Sequence, residues 1–290
     1  MSNIDTHRVI HNAYDTSLRM ELPFCKSLSD VIFRTGFSFL YNEKHEQSNW
    51  VAYELTKKEV KLKVVQRQNK FLPDPLVVTG SATNTDYLKS GFDRGHLAPA
   101  ADMQWSQDAM AESFFYSNIC PQIPNFNRGA WKQLEEITRR WALENESIYV
   151  VTGPVLTDSL RKINNSRVSI PNQFFKVILD NNYPDSKAIG FLMPNKEIKD
   201  SLQVYAVTID SVEKLTGLNF FHLLPDEQEL KLESEICIAC WEWYPEKSGL
   251  INGKHLSVKA TQCTGVIESG KRCRRMTTCS NKRCFQHGCK

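Results

Sequence analysis

The 290-residue chain has no apolar stretch that approaches the length of a membrane-spanning helix, since every apolar run is broken within about ten residues. No membrane partner is therefore expected. Nor do the first twenty residues hold the continuous apolar core of a secretion signal; they carry Asp5, His7, Arg8, His11 and Asp15 instead. Either the protein stays inside the cell, with the cytoplasm favoured over secretion, or it leaves by a route the sequence does not announce. Internal repeats and low-complexity tracts are absent too. What is present is ordinary for a globular body: 41% hydrophobic and 24% charged residues, on a chain long enough to bury a sizeable core.

Net charge is small, +3, but unevenly placed. Residues 259–290 hold eight Lys or Arg against one acid, Glu268, which makes that segment +7 and leaves residues 1–258 at −4. A basic tail on a mildly acidic body points to a polyanionic partner, with a merely solvated tail as the alternative. Cysteine follows the same gradient. Cys25 and Cys120 stand alone, while Cys237, Cys240, Cys263, Cys273, Cys279, Cys284 and Cys289 crowd the last fifth of the chain. An odd total without a signal peptide argues against a full disulfide framework and for metal ligation.

Hydrophobic patterning predicts an α+β fold. Strands are expected around Phe39–Tyr41 and Trp50–Leu55, and again over 147–156, 174–179 and 188–193, where apolar, β-branched and aromatic runs lie between turn residues. A helix is expected over 108–116 with Ser106 as its N-cap. Pro121 and Pro124 predict an extended, ordered loop. A second helix is expected from Asn127 to Glu144, because Trp131, Leu134, Ile137 and Trp141 recur at spacings of three and four. A short helix over 212–215 is stopped by Gly217. The expected divisions are a leader over 1–20, a main domain over 21–245, a linker over 246–258 and a basic Cys/His-rich module over 259–290.

The chemistry concentrates in Gly91-Phe92-Asp93-Arg94-Gly95-His96 and, thirty-one residues after that histidine, Asn127. A histidine can take a proton from water near neutral pH. An amide oxygen is a hard ligand suited to Mg²⁺, which uses few protein ligands and keeps most of its waters. Each residue also has a plainer reading: His96 as a structural histidine, Asn127 as a helix N-cap, Glu135 and the arginines as surface charges. On a continuous helix Glu135 would sit roughly 12 Å beyond Asn127 and within a quarter turn of its face, so both could address one pocket. Asn118, just before the Pro121 loop, could hold the imidazole or a phosphate. Arg94 and Arg67 could clamp phosphate through bidentate guanidinium contacts.

Taken in order, Asp93-Arg94-Gly95-His96, then Ser117-Asn118 with Pro121-Gln122, then Asn127-Arg128-Gly129 with Trp131 and Leu134-Glu135, resemble the DNA/RNA non-specific endonuclease family, the endonuclease G-like ββα-metal (His-Me finger) nucleases. Asn49-Trp50-Val51-Ala52-Tyr53, Thr152-Gly153-Pro154-Val155 and the stretch from Glu213 to Phe221 extend the likeness over about residues 20–245. The resemblance implies a ββα-metal site on a mixed or antiparallel sheet. It implies His96 as general base, Asn127 as the direct protein ligand of Mg²⁺ (with Mn²⁺ as a substitute), and Asn118 in support of catalysis. Glu135 would then help to fix the metal's water shell, Arg94 would contact phosphate, and Arg67 would match a second arginine more loosely.

The expected reaction is one-metal hydrolysis of phosphodiester bonds in DNA and RNA, leaving 5′-phosphate and 3′-hydroxyl ends. Arg94, Arg128, Lys271, Arg272, Arg274 and Arg275 are the expected nucleic-acid contacts. Cys263, Cys273, Cys284 and His287 form an expected structural zinc set, with Cys279 and Cys289 as competitors and disulfides or recruitment of Cys237 and Cys240 as alternatives. A homodimer, an inhibitor and an activating partner remain open. Two other readings also remain: a catalytically silent nucleic-acid-binding protein, and a sequence-selective nuclease whose tail adds readout.

Overall fold

The β-branched and aromatic runs of the chain pair into one seven-stranded sheet, seen in a computed structural model that describes residues 19–182, 186–243, 261–266, 271–273, 276–277 and 282. The strands are β1 (Val31–Phe33), β2 (Ser38–Asn42), β3 (Gln47–Thr56), β4 (Asp93–His96), β5 (Ile119–Gln122), β6 (Ser147–Pro154), β7 (Gln173–Asp180), β8 (Lys187–Pro194), β9 (Ala206–Val207), β10 (Thr261–Gln262) and β11 (Met276–Thr277). The large sheet runs β1-β2-β3-β6-β7-β8-β9; β4 pairs with β5 and β10 with β11 as separate ribbons. Each of these strand pairings is antiparallel. The helices are α1 (Lys57–Lys61), α2 (Asn84–Tyr87), α3 (Gln107–Glu112), α4 (Pro124–Phe126), α5 (Lys132–Glu144), α6 (Ile209–Thr216) and α7 (Asp226–Ser234).

Alternation along the strands gives the sheet two apolar faces, and each face has its own layer. Phe39, Val51, Tyr53, Val150, Phe174, Ile178 and Phe191 face α5, which contributes Leu134, Ile137 and Trp141. Trp50, Val151, Phe175, Val177 and Leu179 face the opposite way, against Val212 of α6 and Phe220, Phe221 and Leu224 beyond it. Gly153 lets strand and core approach closely, since a Cβ there would lie 2.4 Å from the Asn49 carbonyl oxygen and 2.8 Å from the Phe175 ring. The α5 layer extends past residue 240: Trp241 packs on Trp141 with ring centroids 4.5 Å apart.

Four expected boundaries move. The helix capped by Ser106 ends at Glu112, because the chain then turns to set Phe114 and Tyr116 into the core. Pro121 lies in β5 instead of a loop, and Pro124 opens α4 at the first helical position, where a missing N–H costs nothing. The long helix starts at Lys132, five residues after Asn127, since Gly129 takes non-helical angles (φ −102°, ψ −112°). The last helix of the expected set is longer, Ile209–Thr216, and Gly217 ends it in the left-handed conformation at φ 71°. Most of the leader and the whole of 246–258 lie outside the described residues.

Candidate active site

His96 closes β4, where it faces Ile119 of β5. The ribbon is tight at Gly95: a Cβ there would come within 2.1 Å of the Gln122 side chain, which would have to shift to admit one. His96 is only 7% exposed, with its ring edge-on to Phe114 at 5.0 Å and tilted against Phe71 at 5.7 Å. Its Nε2 is buried and has no hydrogen-bond partner. Burial, assisted by the positive charge of Arg67, lowers the imidazole pKa to about 3. The ring is therefore neutral at pH 7, and a neutral imidazole keeps one nitrogen as a proton acceptor.

Asn127 lies in the kinked segment between α4 and α5, not in the first turn of a regular helix. The eight-step helical relation to Glu135 does not hold across Gly129. Contacts with β4 set its position instead. Asn127 Nδ2 donates to Asp93 Oδ2 at 2.9 Å, and four residues on Trp131 Nε1 donates to the His96 carbonyl at 3.3 Å. The segment thus lies along β4 and is tied at both ends. Arg128 forks onto Asp93 through Nε at 2.7 Å and Nη2 at 2.6 Å. Burial raises the Asp93 pKa, but hydrogen bonds from Arg128 and then Asn127 outweigh it, and the net shift is downward. Because the Asn127 nitrogen is committed to a carboxylate, the amide oxygen is the atom left for a cation.

Residues 71–74 carry the cover of the site. Asp74, between two prolines, accepts from Arg34 and from Ser117 Oγ; Tyr116 N donates to the Leu72 carbonyl at 3.0 Å and Leu72 N to the Phe114 carbonyl at 3.2 Å. This pins Phe71 over His96. Arg94 Nε donates to Tyr116 Oη at 2.9 Å, and its guanidinium lies over the Phe71 and Tyr87 rings at 5.3 and 5.7 Å. Arg67, exposed, stacks over Phe114 at 5.4 Å, so the loosely matched arginine sits on the ring that packs against His96.

Asn118 lies immediately before β5. It is fully buried, and its amide is spent on the backbone: Oδ1 accepts from Ala98 N at 2.9 Å, while Nδ2 donates to Ala98 O at 2.9 Å and Ser113 O at 2.8 Å. Both Nδ2 hydrogens are thus engaged, and Oδ1 accepts one bond. Asn118 anchors the chain two residues past His96.

Glu135 is partly buried one turn beyond Trp131 on α5, and behind it stands Lys176 of β7, fully buried. Lys176 Nζ lies 5.0 Å from the Trp131 ring centroid and has no hydrogen-bond partner. One turn further, Arg139 Nη1 bonds Asp102 Oδ1 at 2.7 Å, and Tyr53 Oη bonds Asp102 Oδ2 at 2.9 Å. Burial pushes the Glu135 carboxyl above the ordinary carboxylate range, with Lys176 the strongest influence against it. Burial likewise pulls Lys176 down, and Glu135 opposes that. The sequence reading missed Asp93 and Lys176. Lys176 did leave a signal, as the one charge between Phe174 and Leu179 in an apolar strand.

The donor set fits a hard divalent cation that uses few protein ligands: one amide oxygen, a neutral histidine with a bare ring nitrogen, and a partly buried carboxylate. No trio of His, Cys, Asp or Glu converges there among the described residues; the one such group, Asp210, Glu213 and Glu233, lies on α6 and α7 across the sheet. In the tail, Cys263 and Cys273 are buried against each other, and Gly265 N donates to Cys263 Sγ at 3.3 Å. Arg272 is turned onto its own module, donating to the carbonyls of Cys263 at 2.9 Å and Gln262 at 3.1 Å, while Lys271 is exposed. Cys284, His287, Arg274, Arg275, Cys279 and Cys289 lie outside the described residues. Cys237 and Cys240 form a disulfide with each other.

A β-ribbon ending in a histidine, followed by an asparagine segment that leads into a helix against the ribbon, defines the ββα-metal class of nucleases. The family model for DNA/RNA non-specific endonucleases matches residues 16–227, and the chain belongs to that family of metal-dependent nucleases. Among relatives, it is 36% identical to the mitochondrial nuclease EXOG of Danio rerio over 77% of this chain and 67% of that protein. It is 34% identical to the mitochondrial endonuclease G of Homo sapiens, over 67% and 70%. The mitochondrial nuclease of Saccharomyces cerevisiae is 30% identical over 81% and 78%. A crystal structure of an EndoG/EndoGI complex superposes with a TM-score of 0.64 at 31% identity, covering 68% of this chain and 88% of that one. Among the described residues, no helix is long and apolar enough to cross a membrane.

Proposed function

We propose that the protein is a Mg²⁺-dependent, sugar-non-specific endonuclease that hydrolyses phosphodiester bonds of DNA and RNA to 5′-phosphate and 3′-hydroxyl ends. The observation that carries this is the buried, unpartnered Nε2 of a neutral His96, set on the same strand whose Asp93 orients Asn127. His96 takes the proton of the attacking water as general base. An imidazole held at low pKa by burial and by Arg67 becomes more basic when an anionic phosphate arrives beside it, because that charge favours the imidazolium. Arg94, fixed by Tyr116, and Arg67, on Phe114, hold the non-bridging oxygens. A divalent ion on the Asn127 amide oxygen would stabilise charge on the phosphate and the departing 3′-oxygen. These contacts reach phosphate and not base edges, which suits broad sequence tolerance.

Plasmid DNA and a structured RNA should both be degraded to a smear in Mg²⁺, with Mn²⁺ as a working substitute, and EDTA should stop both reactions. Tight binding of either polymer without cleavage would instead support a silent binding protein, and discrete fragments a sequence-selective nuclease. The EndoG/EndoGI complex makes a protein inhibitor the first partner to look for; a homodimer or an activating partner would be read from solution mass.

The nuclease body corresponds to 21–245 and the basic module to 259–290, joined by 246–258. In that module Cys263, Cys273, Cys284 and His287 hold a structural Zn²⁺, supported by the buried Cys263–Cys273 pair and the N–H donated to Cys263 Sγ. Lys271, Arg274 and Arg275 would then contribute positive charge for nucleic acid, together with Arg128 on the body. Purified protein should carry about one equivalent of zinc, as a closed four-ligand site does; disulfides in this module with little zinc would overturn the assignment.

A further inference from the structure

The helix α7 carries four acids and only two apolar residues, Leu230 and Leu232. Leu230 is largely exposed, so Leu232 is the one that joins the apolar layer on the α6 face of the sheet. The last turn of α7 nevertheless buries an acid. Glu233 is 7% exposed, and its Oε1 has no hydrogen-bond partner. On α6 stand Asp210 and Glu213, three residues apart and therefore on one helical face. Carboxylate oxygens of Asp210, Glu213 and Glu233, one from each, lie within 4.8 Å of one another. Glu213 is fixed there, because its Oε1 accepts from Phe220 N at 2.7 Å. Among the described residues, no Lys, Arg or His forms an ion pair with any of the three. Like charges this close repel, and a buried carboxylate oxygen without a donor is costly. One divalent cation relieves both costs.

We propose that Asp210, Glu213 and Glu233 form a Ca²⁺ site that fastens α7 to α6. The buried, unpartnered oxygen of Glu233 separates this trio from an ordinary acidic surface. All three donors are carboxylates, which suit a hard cation and not the softer metals held by nitrogen and sulfur. Ca²⁺ takes about six to eight oxygens at about 2.3–2.6 Å in flexible geometry, so opposed ligands stand about 5 Å apart. The spread of the trio, within 4.8 Å, lies inside that shell. Mg²⁺ draws opposed oxygens to about 4 Å and keeps most of its waters, which favours sites with fewer carboxylates. Asp210 is exposed, so water can reach the ion and complete its coordination. The trio lies across the sheet from His96 and Asn127, and Glu233 stands beyond the residues 16–227 that match the family model. Its ion is therefore structural and takes no part in cleavage.

The test uses the full chain carrying Asn127→Ala, so that the active-site ligand cannot account for binding, dialysed free of Ca²⁺. Equilibrium dialysis with radiolabelled Ca²⁺ should then show about one equivalent bound, with a Kd on the order of 0.1 mM. At a concentration about a hundredfold above that Kd, Ca²⁺ should raise the melting temperature by about 5 °C. Glu233→Gln keeps the shape of the side chain and removes its charge, and it should abolish both effects. Asp210→Asn, at an exposed position that the core does not need, should weaken Ca²⁺ binding by about tenfold or more, since affinity follows ligand charge. In the chain with Asn127 intact, Asp210→Asn should leave the rate of cleavage in Mg²⁺ unchanged. The site is overturned if Ca²⁺ neither binds saturably nor shifts melting, or if both substitutions bind it as their parent does. It is equally overturned if Glu233→Gln raises the melting temperature of the Ca²⁺-free protein while Ca²⁺ adds nothing to the parent, for then the carboxyls share a proton and hold no ion.

Discussion

His96→Ala should lower cleavage of plasmid DNA by about 10³-fold at saturating Mg²⁺, the scale of losing a positioned general base, with Mg²⁺ dependence and fold intact. The ring is surrounded by Phe71 and Phe114 and donates no side-chain bond that holds the ribbon. What it offers is a buried nitrogen without a partner. Purified His96→Ala with undiminished turnover would rule out the base and, with it, the proposed mechanism. The same residue governs a second observable. Its folded pKa, about 3, lies below the unfolded value near 6.5, so the unfolded chain binds the extra proton between those limits. Folding stability therefore falls as pH drops from about 6.5 toward 3, and the wild-type melting temperature should fall faster over that window than that of His96→Ala.

Legibility in the sequence tracked how local each feature is. The buried stripe Leu134, Ile137 and Trp141 follows from periodicity alone, because a helix repeats its own geometry. Where that helix begins does not, since Gly129 turns the chain so that Asn127 and Trp131 can both reach β4. Asn118 was identifiable by its motif, but its hydrogen bonds depend on where Ala98 and Ser113 are brought by tertiary folding. Arg67 had the weakest sequence warrant of the arginines. The Asp74 anchor to Arg34 and Ser117 nonetheless orders the cover that follows it, and Arg67 comes to rest on Phe114. Asp93 was visible within its motif without a role, because its partners arrive from thirty-four and thirty-five residues away.

Asp93 is also where the site can be separated into a ligand and the group that aims it. Asn127→Ala removes the amide oxygen and should cost about 10²–10³-fold in turnover even at saturating Mg²⁺, the range for losing one preorganised electrostatic contact. Asp93→Ala leaves the amide in place but frees it to rotate, so oxygen and nitrogen exchange places. Its expected signature is a Mg²⁺ requirement raised by about 10–100-fold, as for loss of an outer partner of a metal ligand, with turnover largely recovered at high Mg²⁺. Asp93→Asn distinguishes orientation from charge. Its side-chain oxygen can still accept from Asn127 Nδ2, so if aiming is the role it should behave closer to wild type than Asp93→Ala. Arg128→Ala should be mildest, since its exposed guanidinium forks onto Asp93 from solvent. A Mg²⁺ titration of the four variants orders these effects. A wild-type Mg²⁺ requirement in Asp93→Ala would show that Asn127 needs no aiming, and a full rescue of Asn127→Ala by Mg²⁺ that its oxygen is not the ligand.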